Sequence, residues 1–233
     1  MAVARRIPAK KFASSAAKQK MLRQLVCSDA HEQALRLRGA TVIAGVDEVG
    51  RGALFGPVVA AAVVLPEQLG SLADAGLTDS KKLTQKHRET LDVMIREMAI
   101  AVCVAEIDAE TIDRVNIYQA TRLAMLAAVD GLAITPDHLL IDAMLLNHSC
   151  AQTRLIYGDS LSLSIAAASV VAKVYRDNLM CEYDLRHPQY GMASHKGYGT
   201  AKHRRALLEY GPLPQHRRSF APVGEISRSE AFA

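Results

Sequence analysis

Apolar residues follow two rhythms along this chain. Val42-Ile43-Ala44-Gly45-Val46 and the run from Val58 to Leu65 carry no polar alternation, which predicts two strands buried on both faces. Gly50-Arg51-Gly52 between them predicts a tight turn. Leu83, Leu91, Met94, Ile95 and Met98 then recur at helical spacing, behind Asp79 and Ser80, either of which can cap the helix. Ala99 to Ala105 reads as a third strand, and Ile117 to Leu132 as a helix that Pro136 separates from the short strand Leu139-Leu140-Ile141-Asp142. Leu155-Ile156-Tyr157 is a further strand candidate. Ser162 to about Tyr183 predicts a long helix whose Ala166, Ala167, Ala168 and Ser169 permit close packing, and Thr200 caps a last helix closed by Gly211-Pro212. Strands and helices in this order predict an α/β layered domain, with no repeat or internal linker to divide it.

Composition narrows the class. With 233 residues, 50% hydrophobic and 22% charged, the chain has length for a full core, which excludes disorder throughout. Its longest apolar run, residues 58–65, falls far short of the ~18 residues that cross a bilayer. The basic start is interrupted by lysines before any apolar segment of a secretory signal can form, so the expected location is the cytoplasm. Cys27, Cys103, Cys150 and Cys181 stand far apart without a CxxC pair, which argues for reduced cysteines and against a zinc knuckle.

The net charge of +4 is unevenly spread. Residues 1–40 carry nine Lys/Arg against two Asp/Glu, net +7, and the rest of the chain carries 19 against 22, net −3. Residues 1–30 therefore read as a basic flexible arm: a nucleic-acid contact, an organelle transit peptide or a solvated tail. A second concentration, on structured sequence, holds Lys196, Lys202, Arg204, Arg205, Arg217, Arg218 and three histidines against Glu209 alone.

Asp47 and Glu48 stand side by side at the end of an apolar strand. Burying a bare carboxylate costs more than packing returns, so these two need a partner. Successive strand residues face opposite sides, so they share a site only if the strand ends or bends, which Gly50 and Gly52 allow. Asp142 ends its strand in the same way, and Asp159 follows Leu155-Ile156-Tyr157-Gly158. At ~4 Å and an effective dielectric near 20, each carboxylate pair repels by about 4 kcal/mol, so four together require divalent cations or raised pKa values. Oxygen ligands without Cys or His favour magnesium or manganese over zinc. Any one of these acids alone reads more simply as a solvated strand end; the joint pattern outweighs that. Asp74, Asp108, Glu110, Asp113 and Asp137 have no apolar strand leading into them and read as solvated surface.

The stretch Gly45-Val46-Asp47-Glu48-Val49-Gly50-Arg51-Gly52, followed by Gly56-Pro57-Val58-Val59-Ala60-Ala61, resembles the opening signature of type 2 ribonuclease H, ribonuclease HII. Asp79-Ser80-Lys81-Lys82-Leu83, Leu140-Ile141-Asp142-Ala143, Gly158-Asp159-Ser160, Ile165 to Val174, His195 to Thr200 and His216 to Val223 are similar to further family blocks in family order. The resemblance spans about residues 31–224, with 225–233 left as a tail. It implies a ribonuclease H-like mixed sheet flanked by helices, with a small helical C-terminal region. It also implies that Asp47, Glu48, Asp142 and Asp159 are catalytic and hold two Mg²⁺ or Mn²⁺ ions. The implied activity is endonucleolytic, on the RNA strand of RNA:DNA hybrids and 5′ to a ribonucleotide in duplex DNA, leaving 3′-hydroxyl and 5′-phosphate ends. Gly50-Arg51-Gly52 then corresponds to the loop whose main chain reads the 2′-hydroxyl, and Tyr198 to the tyrosine that stacks on the following deoxyribose. Ser80, Lys81, Ser169, Lys173 and Lys196 are candidate phosphate contacts, Lys173 alternatively pairing with a core carboxylate.

The chain departs from the family at Tyr157, where lysine is common, and at Leu161, often basic, so two cationic contacts are absent from the pattern. Gly199 replaces a common proline. A type 3 ribonuclease H would add a sizeable N-terminal domain that forty residues cannot supply. A binding module of the same fold with weakened catalysis would be favoured by loss of a carboxylate, and all four are present. A magnesium phosphatase or nucleotide hydrolase would usually carry a phosphate-cradling loop, and no GxxxxGK[ST] occurs. The tail from Glu225 offers only Phe232 as an aromatic, so no clamp-binding peptide is read there, and a monomer is the default.

Overall fold

The computed structural model describes residues 21, 24–72 and 74–230, with side chains through 226. The basic arm expected over 1–30 lies largely outside the described residues. Helix α1, Ala30–Arg36, is followed by strand β1, Ile43–Val49, and strand β2, Val58–Val64. Helix α2, Gln85–Met98, leads into strand β3, Ala101–Ile107. Helices α3, Ala109–Val115, and α4, Ile117–Asp130, precede strands β4, His138–Asp142, and β5, Ala151–Leu155. The long helix α5, Leu163–Arg186, is followed by α6, Met192–His195, α7, Ala201–Tyr210, and α8, Val223–Glu230.

The five strands form one mixed sheet in the order β3-β2-β1-β4-β5. β1, β2 and β3 pair antiparallel as a meander, while β1–β4 and β4–β5 pair parallel. Both faces are covered, as the unbroken apolar runs require. Val58, Ala60, Ala62 and Val64 of β2 pack with Ile112, Ala120, Ala124 and Met125 from α3 and α4. Val59, Ala61 and Val63 pack on the other face with Leu91 and Ile95 of α2 and Ala167, Val170 and Val171 of α5. Gly45 faces α5, and a Cβ there would collide with the backbone of Ser164 and Ile165. Its absence lets the long helix lie directly on the central strand.

Several boundaries differ from the sequence reading. Thr84, not Asp79 or Ser80, caps α2, its hydroxyl accepting from the His87 N–H. Asp79 instead caps a single 3₁₀ turn, Ser80–Lys82. β5 occupies 151–155 rather than 155–157, because Tyr157 adopts a left-handed conformation (φ 62°) that ends the extended chain. α3 and α6, each one or two turns long, had no periodic signal long enough to register, and α8 runs across the boundary placed at residue 224. Three acids read as solvated surface act as backbone caps. Asp108 accepts from the Thr111 N–H, Asp113 from the N–H groups of Arg218 and Ser219, and Asp137 from those of Thr41 and Val42. No helix among the described residues is long and apolar enough to cross a membrane.

Candidate active site

The parallel ladder between β1 and β4 stops at Val46 and Ile141, one residue short of Asp47 and Asp142. The two carboxylates therefore stand just where the adjacent parallel strands part, toward their carboxyl ends, the side on which open α/β sheets bind ligands. On its other edge β1 stays paired with β2 through Val49, so the strand does not end at Asp47-Glu48. One oxygen each from Asp47, Glu48 and Asp142 nevertheless lie within 4.8 Å of one another. The opening on the β4 side replaces the strand end expected from sequence. Asp159 is delivered differently as well: it sits in the 3₁₀ turn Gly158–Ser160 beyond β5, not at a strand end.

Asp47 is 3% exposed and Asp159 7%. Burial, then the charges of Glu48, Asp142 and Asp159, push the Asp47 carboxyl well above its ordinary range. Burial and nearby Asp79 raise Asp159 to about 6, with Lys81 working against them. Asp142 is also raised, by burial first, although its Oδ1 accepts the Gly158 N–H at 2.7 Å. Few neutralising partners reach the cluster. Arg51 Nη1 donates to Glu48 Oε1 at 3.1 Å, and Lys81 Nζ lies 3.5 Å from Asp159 Oδ2. Glu48 Oε2 is buried with no hydrogen-bond partner among the described residues. An all-oxygen donor set with repelling charges and an orphaned oxygen is a site that a hard divalent cation would satisfy.

The Gly50-Arg51-Gly52 turn lies against the Tyr198 loop. Ala53 bridges Tyr198, the Leu54 N–H donates to the Gly197 carbonyl at 2.9 Å, and a Cβ on Gly52 would meet the Tyr198 ring at 3.9 Å. Gly50 adopts φ +90°, and any side chain there would strike the Arg176 guanidinium. Behind Tyr198 lies a relay of neutral histidines that the sequence reading counted with the basic residues. The Leu213 N–H donates to His216 Nδ1 at 2.8 Å, which places the His216 proton on Nε2, facing His203 Nε2 at 3.0 Å. His203 then donates from Nδ1 to the Tyr198 carbonyl at 3.1 Å. Burial lowers His203 to about 4 and His216 to about 3, so both are uncharged at neutral pH. Of that basic segment, Lys202, Arg204, Arg205 and Arg218 are exposed, whereas Arg217 and the three histidines are buried.

The other candidate contacts divide into two groups. Lys81 is largely exposed beside the acids, its side chain 73% accessible. Ser80 and Ser169 are buried and bonded to each other at 2.9 Å. Lys173 pairs with Asp177 at 2.6 Å, the alternative weighed for it, and Lys196 turns its ammonium toward the Asp177 carbonyl and Cys181 of α5. Lys82, not singled out in the sequence, donates to Ser160 Oγ next to Asp159 at 3.0 Å. Glu32 was also missed. Its carboxylate is 3% exposed and accepts from Ser162 Oγ and the Ser164 N–H, pinning α1 to the start of α5 just behind the Asp159 turn. No apolar strand precedes Glu32, so the signal used for the other acids was absent.

A five-stranded mixed sheet with helices on both faces and an acidic opening between its parallel strands defines a ribonuclease H-like α/β enzyme. The fold is shared with ribonuclease H2 from Pyrococcus horikoshii (TM-score 0.72, 24% identity, covering 83% of this chain and all of that one). It is also shared with Bst-RNase HIII in a structure described as a complex with Mn²⁺ (TM-score 0.62, 19% identity, 94% and 82% covered). The family model for Ribonuclease HII matches residues 44–223, and the chain belongs to that family. The ribonuclease HII of Koribacter versatilis is 53% identical over 214 residues, covering 92% of this chain and 83% of its own. That of Bacillus subtilis is 50% identical over 208 residues, covering 89% and 80%. The protein is thus a ribonuclease H endonuclease, a hydrolase of a metal-dependent family.

Proposed function

We propose that this chain cuts the RNA strand of RNA:DNA hybrids and cleaves 5′ to single ribonucleotides embedded in duplex DNA, leaving 3′-hydroxyl and 5′-phosphate ends. The observation that carries the reading is the convergence of Asp47, Glu48 and Asp142 within 4.8 Å at the parting of β1 and β4. Asp47, Glu48, Asp142 and Asp159 would hold Mg²⁺ or Mn²⁺, which supply charge to ready the attacking water and to stabilise the departing 3′ oxygen. The Mn²⁺ complex described for Bst-RNase HIII supports that choice of ion.

The chain's own groups divide the remaining work. Gly50, Arg51 and Gly52 present main chain to the sugar, where the 2′-hydroxyl separates RNA from DNA. Tyr198, 37% exposed beside that loop, presents a ring face for the next sugar. Lys81 is placed for a phosphate near the acids, while Ser80, Ser169, Lys173 and Lys196 act through the packing of the 3₁₀ turn and α5 around the site. The enzyme works as a single chain in the cytoplasm, where it would remove ribonucleotides from DNA. Degradation of the RNA strand of a labelled hybrid with Mg²⁺ or Mn²⁺, its loss in EDTA, and inertness toward an all-DNA duplex are the expected results. Cleavage unaffected by EDTA would overturn the reading.

A further inference from the structure

Among the described residues, the largest fully buried side chains are Arg176 and Arg217, each 0% exposed. Neither guanidinium hydrogen-bonds a carboxylate. Burial, with Arg176 close by, lowers Arg217 to about 9, so it remains charged at neutral pH. Burying two neighbouring cations with no hydrogen-bonded carboxylate is costly; main-chain carbonyls accept from five of their six nitrogens, while Arg217 Nη2 is buried with no hydrogen-bond partner among the described residues. Arg176 donates from Nε to Pro57 O (3.1 Å), from Nη1 to Lys196 O (2.8 Å) and from Nη2 to Phe55 O (2.9 Å). Arg217 donates from Nε to Gly56 O (3.0 Å) and from Nη1 to Arg51 O (2.9 Å). Five bonds from two side chains thus gather three segments: the turn after β1, the crossing into β2, and the loop that carries Tyr198.

The bond to Arg51 O has a geometric consequence. The Arg51–Gly52 peptide is trans, so its carbonyl and the Gly52 N–H point in opposite directions within one plane. Holding the carbonyl inward aims the Gly52 N–H outward. Gly52 is exposed, and its N–H has no acceptor among the described residues. It is a fixed, unused donor beside the Tyr198 ring.

We infer that Arg217, with Arg176 as its brace, is a positioning residue for ribonucleotide recognition: its grip on the Arg51 carbonyl aims the Gly52 N–H at the sugar 2′-hydroxyl. The inference rests on the reading of Gly50-Arg51-Gly52 and Tyr198 as the sugar-contacting elements, and extends it to residues that never touch substrate. Lysine cannot substitute, because a single ammonium lacks the planar fork that spans Gly56 and Arg51 at once.

The test compares wild type, Arg217→Lys and Gly52→Pro in the full chain. The readouts are kcat/KM on a duplex with one embedded ribonucleotide, affinity for the all-DNA duplex of the same sequence, and thermal unfolding. Arg217→Lys is expected to lose ~10-fold in kcat/KM, the scale of one hydrogen bond, while all-DNA affinity stays within about twofold. Unchanged kcat/KM, or an equal loss of all-DNA affinity, overturns the inference. Gly52→Pro deletes the donor itself. Should it cleave normally, the loop reading has failed; should it lose cleavage while Arg217→Lys keeps it, only the positioning role has failed. If Arg217→Lys does not fold, nitrogen-15 relaxation on the unmodified chain decides. An order parameter for the Gly52 amide near the ~0.85 of rigid backbone supports a fixed donor, and one below ~0.6 overturns it.

Discussion

Asp159→Asn should stabilise the metal-free protein while impairing its chemistry. Asp159 is 7% exposed, and burial together with Asp79 raises its pKa from 3.8 to about 6. Because the folded state holds this proton more tightly than the unfolded chain, the ionised carboxylate is a destabilising charge above pH 6. A shift of roughly two pKa units corresponds to ~3 kcal/mol. Asparagine removes that penalty, which already includes the opposing effect of Lys81, for a gain of about 3 kcal/mol. For a chain of this size the gain is ~6–12 °C in Tm. Thermal unfolding in EDTA at pH 7.5 measures it. As pH falls through 6 toward 3.8, the wild-type carboxyl becomes protonated in the folded state and then in both states, so the gain must shrink and vanish. Added Mg²⁺ or Mn²⁺ should narrow it too, by stabilising the wild type more than the variant. A variant no more stable than wild type at pH 7.5, or a gain that persists at pH 4, refutes the electrostatic argument.

Asp47→Asn should lower cleavage by ~10²–10³-fold or more while duplex binding persists, as gel shift beside a turnover assay would reveal; wild-type turnover would remove its role. Tyr198→Ala should reduce cleavage at a single embedded ribonucleotide more than on a long RNA:DNA hybrid, and equal losses on the two substrates in parallel kinetics would exclude a junction role. Gly45→Ala should destabilise by at least ~1–3 kcal/mol in urea unfolding, since its Cβ would press into the α5 backbone at Ser164 and Ile165. A neutral result there would mean that the helix can lift from the sheet at little cost.

What the sequence made legible depended on the length of each signal. β1, β2 and the long helix α5 rest on unbroken apolar or small-residue runs, and they emerged close to their expected bounds. β5 did not, because an edge strand of sequence Ala-Gln-Thr-Arg-Leu is half-covered and lacks an apolar run. The acids at 47, 48 and 142 were readable because each interrupts a buried strand. The mechanism of their convergence was not, since where the β1–β4 ladder stops is a tertiary fact. Arg217, His203 and His216 fall within a basic concentration and Arg176 is not singled out by the sequence, because nothing local to a basic residue reveals that its partners lie buried on distant segments. Asp113 and Asp137 show the same limit in the other direction, capping backbone about a hundred residues away.

The most direct test is denaturing-gel analysis of a labelled DNA duplex carrying one ribonucleotide, beside an all-DNA control, with Mg²⁺, with Mn²⁺ and with EDTA. The account predicts metal-dependent scission on the 5′ side of the ribonucleotide, with a 3′-hydroxyl and a 5′-phosphate at the break and an intact control. Binding without scission in either metal, or scission on the 3′ side, would contradict it.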